Sequence, residues 1–312
     1  MRLPILLALT SLSLAACGGD DTSTPDASVD IGFNLPTVTL KANKEVAPDM
    51  WQEQGDADLS CLNTPSADMA TTVAVTLNVV VKDFQSGNAV PSSMIEVFPE
   101  QKYTMPFGAA ATADSMAFAT VTIPTGVKRF GYRMTSTSSL PTFLLNQVVK
   151  PDVAVQPDGT CDPAPCREKI QSVSNATAAT LPALIGQTRT LGTGVVAGAL
   201  RDCQRREISG FIATMSSTPA VANTVMGADA YYFDSAVGLP VHHNRQAYGS
   251  GDGLFMIIEV PSTNPTGYVQ MWGFPTEADK NMGKAGLKLI AELQVPILAD
   301  TVITGSYEPL RQ

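Results

Sequence analysis

The chain contains one stretch built twice. Val195–Met215, VVAGALRDCQRREISGFIATM, repeats the build of Val79–Val97, VVVKDFQSGNAVPSSMIEV. Each has an apolar strand, a basic residue then Asp, a polar turn, a small residue and a second apolar strand. Lys82-Asp83 aligns with Arg201-Asp202, and Ser92 aligns with Gly210 once the first turn is allowed one extra residue. The echo continues downstream. Phe118 precedes Pro124 by six residues and Phe255 precedes Pro261 by six. Tyr132 and Tyr268 follow those prolines by eight and seven, each directly after Gly. Self-similarity of this kind marks a duplicated structural unit.

The units read as β. Thr71–Phe84 is rich in Val and Thr with partial alternation, Gln85–Asn88 is a turn, and Met94–Phe98 is the next strand. Ala117–Ile123, Phe130–Thr135 and Phe143–Val149 complete the first set. The second set is Val195–Leu200, Phe211–Met215, Leu254–Val260, Tyr268–Phe274 and Leu287–Val295. In the last, Leu287, Leu289, Ala291, Leu293 and Val295 share one face. Its composition also suits a helix; the strict alternation and Pro296 favour a strand. In the segment between the units, Leu181-Pro182-Ala183-Leu184 echoes Val295-Pro296-Ile297-Leu298, which suggests that part of it closes the first unit.

Composition agrees with short strands joined by turns. Charged residues are 16% of the chain, against 24 Gly and 22 Pro. Net charge is −9, and the densest basic cluster, Arg201, Arg205 and Arg206, is interrupted by Asp202. That pattern argues against nucleic-acid binding, which needs a basic stripe.

The N-terminus reads as an address. Met1-Arg2 is a minimal positive region, and Leu3–Leu14 is an apolar run of twelve residues, short of the roughly 20 that span a bilayer. Leu14-Ala15-Ala16-Cys17 matches the lipobox of bacterial lipoproteins, where small residues admit the peptidase and the thiol of Cys17 accepts the lipid. Gly18 follows the cysteine, so the Asp signal for inner-membrane retention is absent there and the outer membrane is favoured. Gly18–Pro36 lacks an apolar period and reads as a disordered tether, with a typical reach of about 25 Å for some 20 residues. The expected division is 1–16 signal peptide, 17–70 lipidated tether and N-terminal extension, 71–150 first sandwich, 151–190 linker and 191–312 second sandwich.

The run Lys82-Asp83-Phe84, Ser86-Gly87-Asn88, Val90-Pro91, Ile95-Glu96-Val97 resembles carboxypeptidase regulatory-like domains, as does Asp252-Gly253-Leu254-Phe255 through Val260-Pro261 to Gly267-Tyr268. That family is transthyretin-like (prealbumin-like), a sandwich akin to the B-type repeats of Gram-positive adhesins. The resemblance implies an all-β chain of two tandem transthyretin-like β-sandwich domains, and it carries over no catalytic residue. It also raises the intramolecular Lys–Asn isopeptide bond of B-type repeats, for which Lys82, Glu96 and Asn146 are the positions. The favoured reading of those three is surface polar residues, because Lys82 abuts a turn and its counterpart is Arg201.

Four cysteines follow Cys17 and allow three pairings. Cys161–Cys166 closes a Pro-containing loop, and Cys61–Cys203 then ties the N-terminal segment to the second unit. The spacing does not suit a four-thiolate zinc site. The adjacent His242 and His243 could join a metal site with Asp234 or Asp252. Strand neighbours point to opposite faces, so no metal or cofactor is expected. Tyr231, Tyr232, Arg245 and Tyr248 in the 218–252 insertion, with Trp272, suit a glycan or protein contact and equally a hairpin packed on the sandwich. No nucleophile set stands out, and the chain is read as non-enzymatic. The expected function is a lipid-anchored envelope module, held to the membrane through Cys17 and meeting an envelope protein or polysaccharide, with carbohydrate binding through the 218–252 loop as the alternative.

Overall fold

The structure, a computed structural model, describes residues 34–100, 102–148, 167–184, 186–225, 227–235, 238–263 and 265–310. The strands are β1 (Lys41–Ala47), β2 (Met50–Asp56), β3 (Val75–Asp83), β4 (Met94–Pro99), β5 (Ala111–Thr112), β6 (Phe118–Ile123), β7 (Arg129–Ser136), β8 (Ser139–Val148) and β9 (Arg167–Ser172) in the first part. Helix α1 (Asn175–Leu184) follows. Then come β10 (Thr193–Leu200), β11 (Glu207–Ser209), β12 (Ile212–Ser216), β13 (Asp229–Phe233), β14 (Pro240–His242), β15 (Leu254–Pro261), β16 (Thr266–Gly273), helix α2 (Glu277–Asn281), β17 (Lys288–Pro296) and β18 (Val302–Tyr307). The fold is all-β, and alternation drives it. Along β3, Val75, Leu77, Val79 and Val81 are fully buried while the residues between them face outward. Each buried side chain contributes about 1.5–3 kcal/mol.

The duplication is visible in the pairing. In the first unit β3 pairs antiparallel with β6 and parallel with β9. In the second, β10 pairs antiparallel with β15 and parallel with β18. Likewise β7 lies between β4 and β8, and β16 between β12 and β17. Ser92 and Gly210, aligned by sequence, share the left-handed backbone, with φ of 57° and 84°. A Cβ on Gly210 would lie 2.6 Å from the Thr39 carbonyl oxygen, so that turn requires glycine.

The units also share a sheet. Strand β18 pairs parallel with β8, matching Val302 to Thr142 and Gly305 to Leu145. This merges them into nine strands in the order β14-β13-β15-β10-β18-β8-β7-β4-β5. The two three-stranded partners, β6-β3-β9 and β12-β16-β17, pack on opposite faces of that sheet. On β8, Phe143 and Leu145 enter the core beneath β12-β16-β17, while Leu144 packs toward β6-β3-β9. Arg129 fastens the junction. It donates to Asp68 (2.6 Å), Asn146 (2.8 Å) and Glu308 (3.1 Å), and the Asn146 amide donates to the Ser306 carbonyl.

Residues 34–62 pack on the second unit. Strand β1 pairs with β11, and Leu40 is fully buried in the core of that unit. The Cys61–Cys203 disulfide forms, with its Cα atoms 5.7 Å apart. Cys17, Cys161 and Cys166 lie outside the described residues.

Two expectations are corrected. Part of the segment between the units does close the first unit, but that part is β9, and Leu181–Leu184 belongs to helix α1. The single face expected of Leu287–Val295 also fails. A bulge opposite Met271 and Trp272 admits Ile290 as an extra residue. Ile290, Ala291, Leu293 and Val295 face the main core, and Leu287 and Leu289 pack against Ile212 and Trp272 on the other side.

The aligned acids Asp83 and Asp202 are both buried and do the same work. Asp83 accepts from the Ser86 amide (2.8 Å), the Ser174 amide (2.7 Å) and the Thr177 hydroxyl (3.0 Å). Asp202 accepts from the amides of Gln204 and Arg206 (2.9 Å each), the Arg206 guanidinium (2.6 Å) and the Asp58 amide (3.2 Å). Each carboxylate closes its own turn and ties down a flanking segment. Burial pushes the Asp83 carboxyl up, but the hydrogen bonds from Ser86 and Ser174 outweigh it and hold the pKa at about 2. This stabilisation is present above pH 4 and is lost as pH falls through 2. Between pH 4 and pH 2 the wild type is expected to lose about 2 kcal/mol more than Asp83→Asn, read from urea midpoints across that window. Replacing Arg129 by Met strands two largely buried carboxylates, Asp68 and Glu308. The expected loss is about 3 kcal/mol by chemical denaturation.

Candidate functional site

The 218–252 insertion supplies a hairpin that extends the sheet. Strand β13 pairs with β15, and β14 pairs with β13 with His242 opposite Tyr231. Side chains alternate along β13. Tyr232 points into the main core, where its hydroxyl accepts the Ala213 amide at 2.9 Å. Asp229, Tyr231 and Phe233 point to the other face. Tyr231 is 1% exposed and Tyr232 fully buried; burial pushes both phenols far up. Trp272 is buried against Leu35, Ile212, Leu287 and Leu289, and its indole donates to Gln270. Of the five expected contact residues, Arg245 is exposed and Tyr248 half-buried, while the three others are interior. An apolar hairpin face and a binding loop have the same composition, and here the packing role prevails for Tyr231 and Tyr232.

The histidines do come together, contrary to the opposite-face expectation. Strand β14 ends at His242, and His243 begins the following turn, so strict alternation no longer applies to it. His243 Nε2 lies 3.6 Å and His242 Nε2 2.9 Å from the same oxygen, Oδ1 of Asp229. The Tyr231 hydroxyl donates to the other oxygen at 2.9 Å. The imidazole centroids are 4.3 Å apart, and Tyr231 meets His242 edge-on at 5.1 Å. Burial and the neighbouring His242 hold His243 below its ordinary value, against the pull of Asp229. Asp229 was missed in the sequence because it lies thirteen residues before His242 and only the hairpin brings them together. Asp252 instead accepts the Leu254 amide at the entry to β15, and burial pushes it up to about 6.

A groove of about 350 Å³ runs along the shared sheet, on the face that also carries the β6-β3-β9 partner. Its floor is Leu144, Val302, Thr304, Val195, Ala197, Ala199, Leu254, Met256 and Ile258; β9, α1 and the link between them contribute Lys169, Gln171, Ala178 and Val173. Phe84 of the first unit and Phe233 of the second, in edge contact at 6.3 Å, also line it. Its charged residues are Lys169, Arg189 and Arg201, with no carboxylate among the described lining.

Elsewhere, Glu96 ion-pairs with Arg133, and Asn146 is held by Arg129 and the Ser306 carbonyl. Two of the three isopeptide positions, Glu96 and Asn146, are thus engaged with other partners. No helix among the described residues is long and apolar enough to cross a membrane.

No protein-family profile matches the chain, and no curated protein sequence matches it. Solved structures with some likeness include the Bacillus anthracis TIE protein, at 10% identity over 76% of this chain and 34% of that one, with a TM-score of 0.23. The shaft pilin SpaA from Lactobacillus rhamnosus GG has 10% identity over 77% and 98%, with a TM-score of 0.21. BcpA, the major pilin subunit of Bacillus cereus, has 10% identity over 74% and 69%, with a TM-score of 0.24. Likenesses of this size say nothing about what the chain does.

If Tyr232 is a core anchor, Tyr232→Phe strands the buried Ala213 amide. The expected loss is about 1–3 kcal/mol in urea denaturation. A surface contact residue would leave the midpoint unchanged.

Proposed function

We propose that this chain is a non-enzymatic structural and interaction module of the cell envelope, lipid-anchored through Cys17, that holds a partner protein in the groove of its shared sheet. The observation that carries this reading is the groove itself. It is an apolar trough at the junction of two units fused by main-chain pairing, so its shape is set by a rigid floor. Of the cations that line it, Arg189 and Arg201 are ion-paired with Asp300 and Glu207 outside the trough, so its character is chiefly apolar. An apolar segment of a partner protein is the complementary occupant.

The architecture supports presentation on a tether. The chain from residue 34 onward enters beside the second unit, where Leu35 packs against the cluster of Ile212 and Trp272. Residues 34–62 are then tied down by β1, Leu40 and the Cys61–Cys203 bridge. A lipid on Cys17 would therefore hold the module from the second unit's side. The burial of Tyr231, Tyr232 and Trp272 favours a protein-facing module over a carbohydrate-binding one.

The test is photo-crosslinking in the producing cells, with the probe at Ala197 on the groove floor or at Thr120 on the exposed face of β6. The expected result is a discrete protein adduct in the membrane fraction from position 197 and none from position 120. Absence of an adduct at 197 removes the groove from the reading. Cys17→Ser is expected to move the chain to the soluble fraction, and continued membrane attachment would overturn the lipid anchor.

A further inference from the structure

The three donors at the hairpin edge converge as ligands do. The ligating atoms of Asp229, His242 and His243 all lie within 4.8 Å of one another, with 2.9 and 3.6 Å from the two imidazole nitrogens to Asp229 Oδ1. Around a tetrahedral ion with bonds of about 2.0–2.2 Å, neighbouring donors sit about 3.2–3.6 Å apart. Asp229 Oδ1 is thus already close to ligand spacing from both nitrogens, and the set closes on an ion as the two imidazole donors, within 4.8 Å of each other, draw together. The support behind the donors is also in place. Tyr231, itself buried, donates to Asp229 Oδ2 and leaves Oδ1 facing the histidines. Such outer hydrogen bonds are what fix a carboxylate ligand. The His243 amide donates to the Ala230 carbonyl, so both histidines hang from one paired hairpin.

We propose that Asp229, His242 and His243 form a three-ligand site for a divalent first-row transition ion, zinc foremost, with solvent completing the coordination. Two imidazoles and one carboxylate select zinc, copper, nickel or cobalt over calcium and magnesium, which favour all-oxygen sites. Without metal, His242 Nδ1 accepts the Asn244 amide at 3.1 Å, so the ring proton is on Nε2 and is donated to Asp229. Metal binding takes the Nε2 lone pair. The proton transfers to Nδ1, and the exposed Asn244 amide turns to water. Two hydrogen bonds, from the Asn244 amide to His242 and from His242 to Asp229, are given up for three coordinate bonds.

The chain has only two histidines, and both are in this site. Its proton NMR spectrum therefore reads the site directly in the untagged wild type. After removal of metal with EDTA, one equivalent of Zn²⁺ is expected to shift both imidazole Cε1–H signals in a saturable titration. Co²⁺ is expected to bind at one per chain and to give visible d–d absorption that Zn²⁺ abolishes. His242→Gln and His243→Gln are each expected to weaken Co²⁺ binding at least tenfold, with the circular dichroism of the fold retained. Tyr231→Phe, which releases the carboxylate together with the Gln187 hydrogen bond to the same hydroxyl, is expected to weaken it about tenfold. Imidazole signals that stay in place at excess Zn²⁺ would overturn the proposal without recourse to any variant. So would Co²⁺ affinity unchanged by both histidine substitutions, which would place the ion elsewhere on this acidic chain.

Discussion

The structure depends on the parallel pairing of β8 with β18. Each is the outer strand of its unit, and an uncovered outer strand exposes a row of unpaired amides and carbonyls. Pairing the two removes both edges at once and turns two sandwiches into one nine-stranded sheet. Because the three-stranded partners then lie on opposite faces, each covers only part of that sheet. The half left open beside β9 becomes the groove floor. Arg129 secures the same junction from the side, reaching Asp68, Asn146 and Glu308, which come from three separate parts of the chain.

The duplicated unit was legible because its signals are local. Lys82-Asp83 and Arg201-Asp202 mark turns that need a buried acceptor, and Ser92 and Gly210 mark a backbone of positive φ. Alternation located β3 and β6, and the apolar runs of the repeat located β10 and β15. The joining of the units was not legible. The β8–β18 ladder is made of main-chain hydrogen bonds, which leave no side-chain pattern to read. Strand β9, REKIQS, has only Ile170 as an apolar residue and is held by its ladder to β3. The echo of Val295–Leu298 in Leu181–Leu184 drew attention to the wrong part of that segment.

The site was half legible for a different reason. Aromatic residues in a long insertion can face a ligand or a core, and composition does not separate the two. Tyr231 and Tyr232 were decided by β13 adding to the sheet beside β15, a pairing across the intervening loop. The histidine pair is plain in the sequence, but neighbouring side chains take opposite faces only inside a strand. His243 sits one residue past the end of β14, where the chain turns and brings its ring back over Asp229.

The groove and the histidine cluster bear on one strand. Asp229, Tyr231 and Phe233 lie on the same face of β13; Phe233 lines the groove, and Asp229 meets the histidines. The floor beside it is kept flat by small residues. Ala197, Ala199 and Thr304 line the groove, and Gly198 is required because the Tyr307 ring occupies the space its Cβ would need from below. With so little bulk on β10 and β18, an occupant makes its larger contacts with Met256, Ile258 and Phe233, on β15 and β13. Strand β13 is held by its ladder to β15 on one side and by the short β14 on the other. Anything that fastens β14 to β13, as an ion between His242 and Asp229 would, also stiffens the outer wall against which the groove's occupant packs.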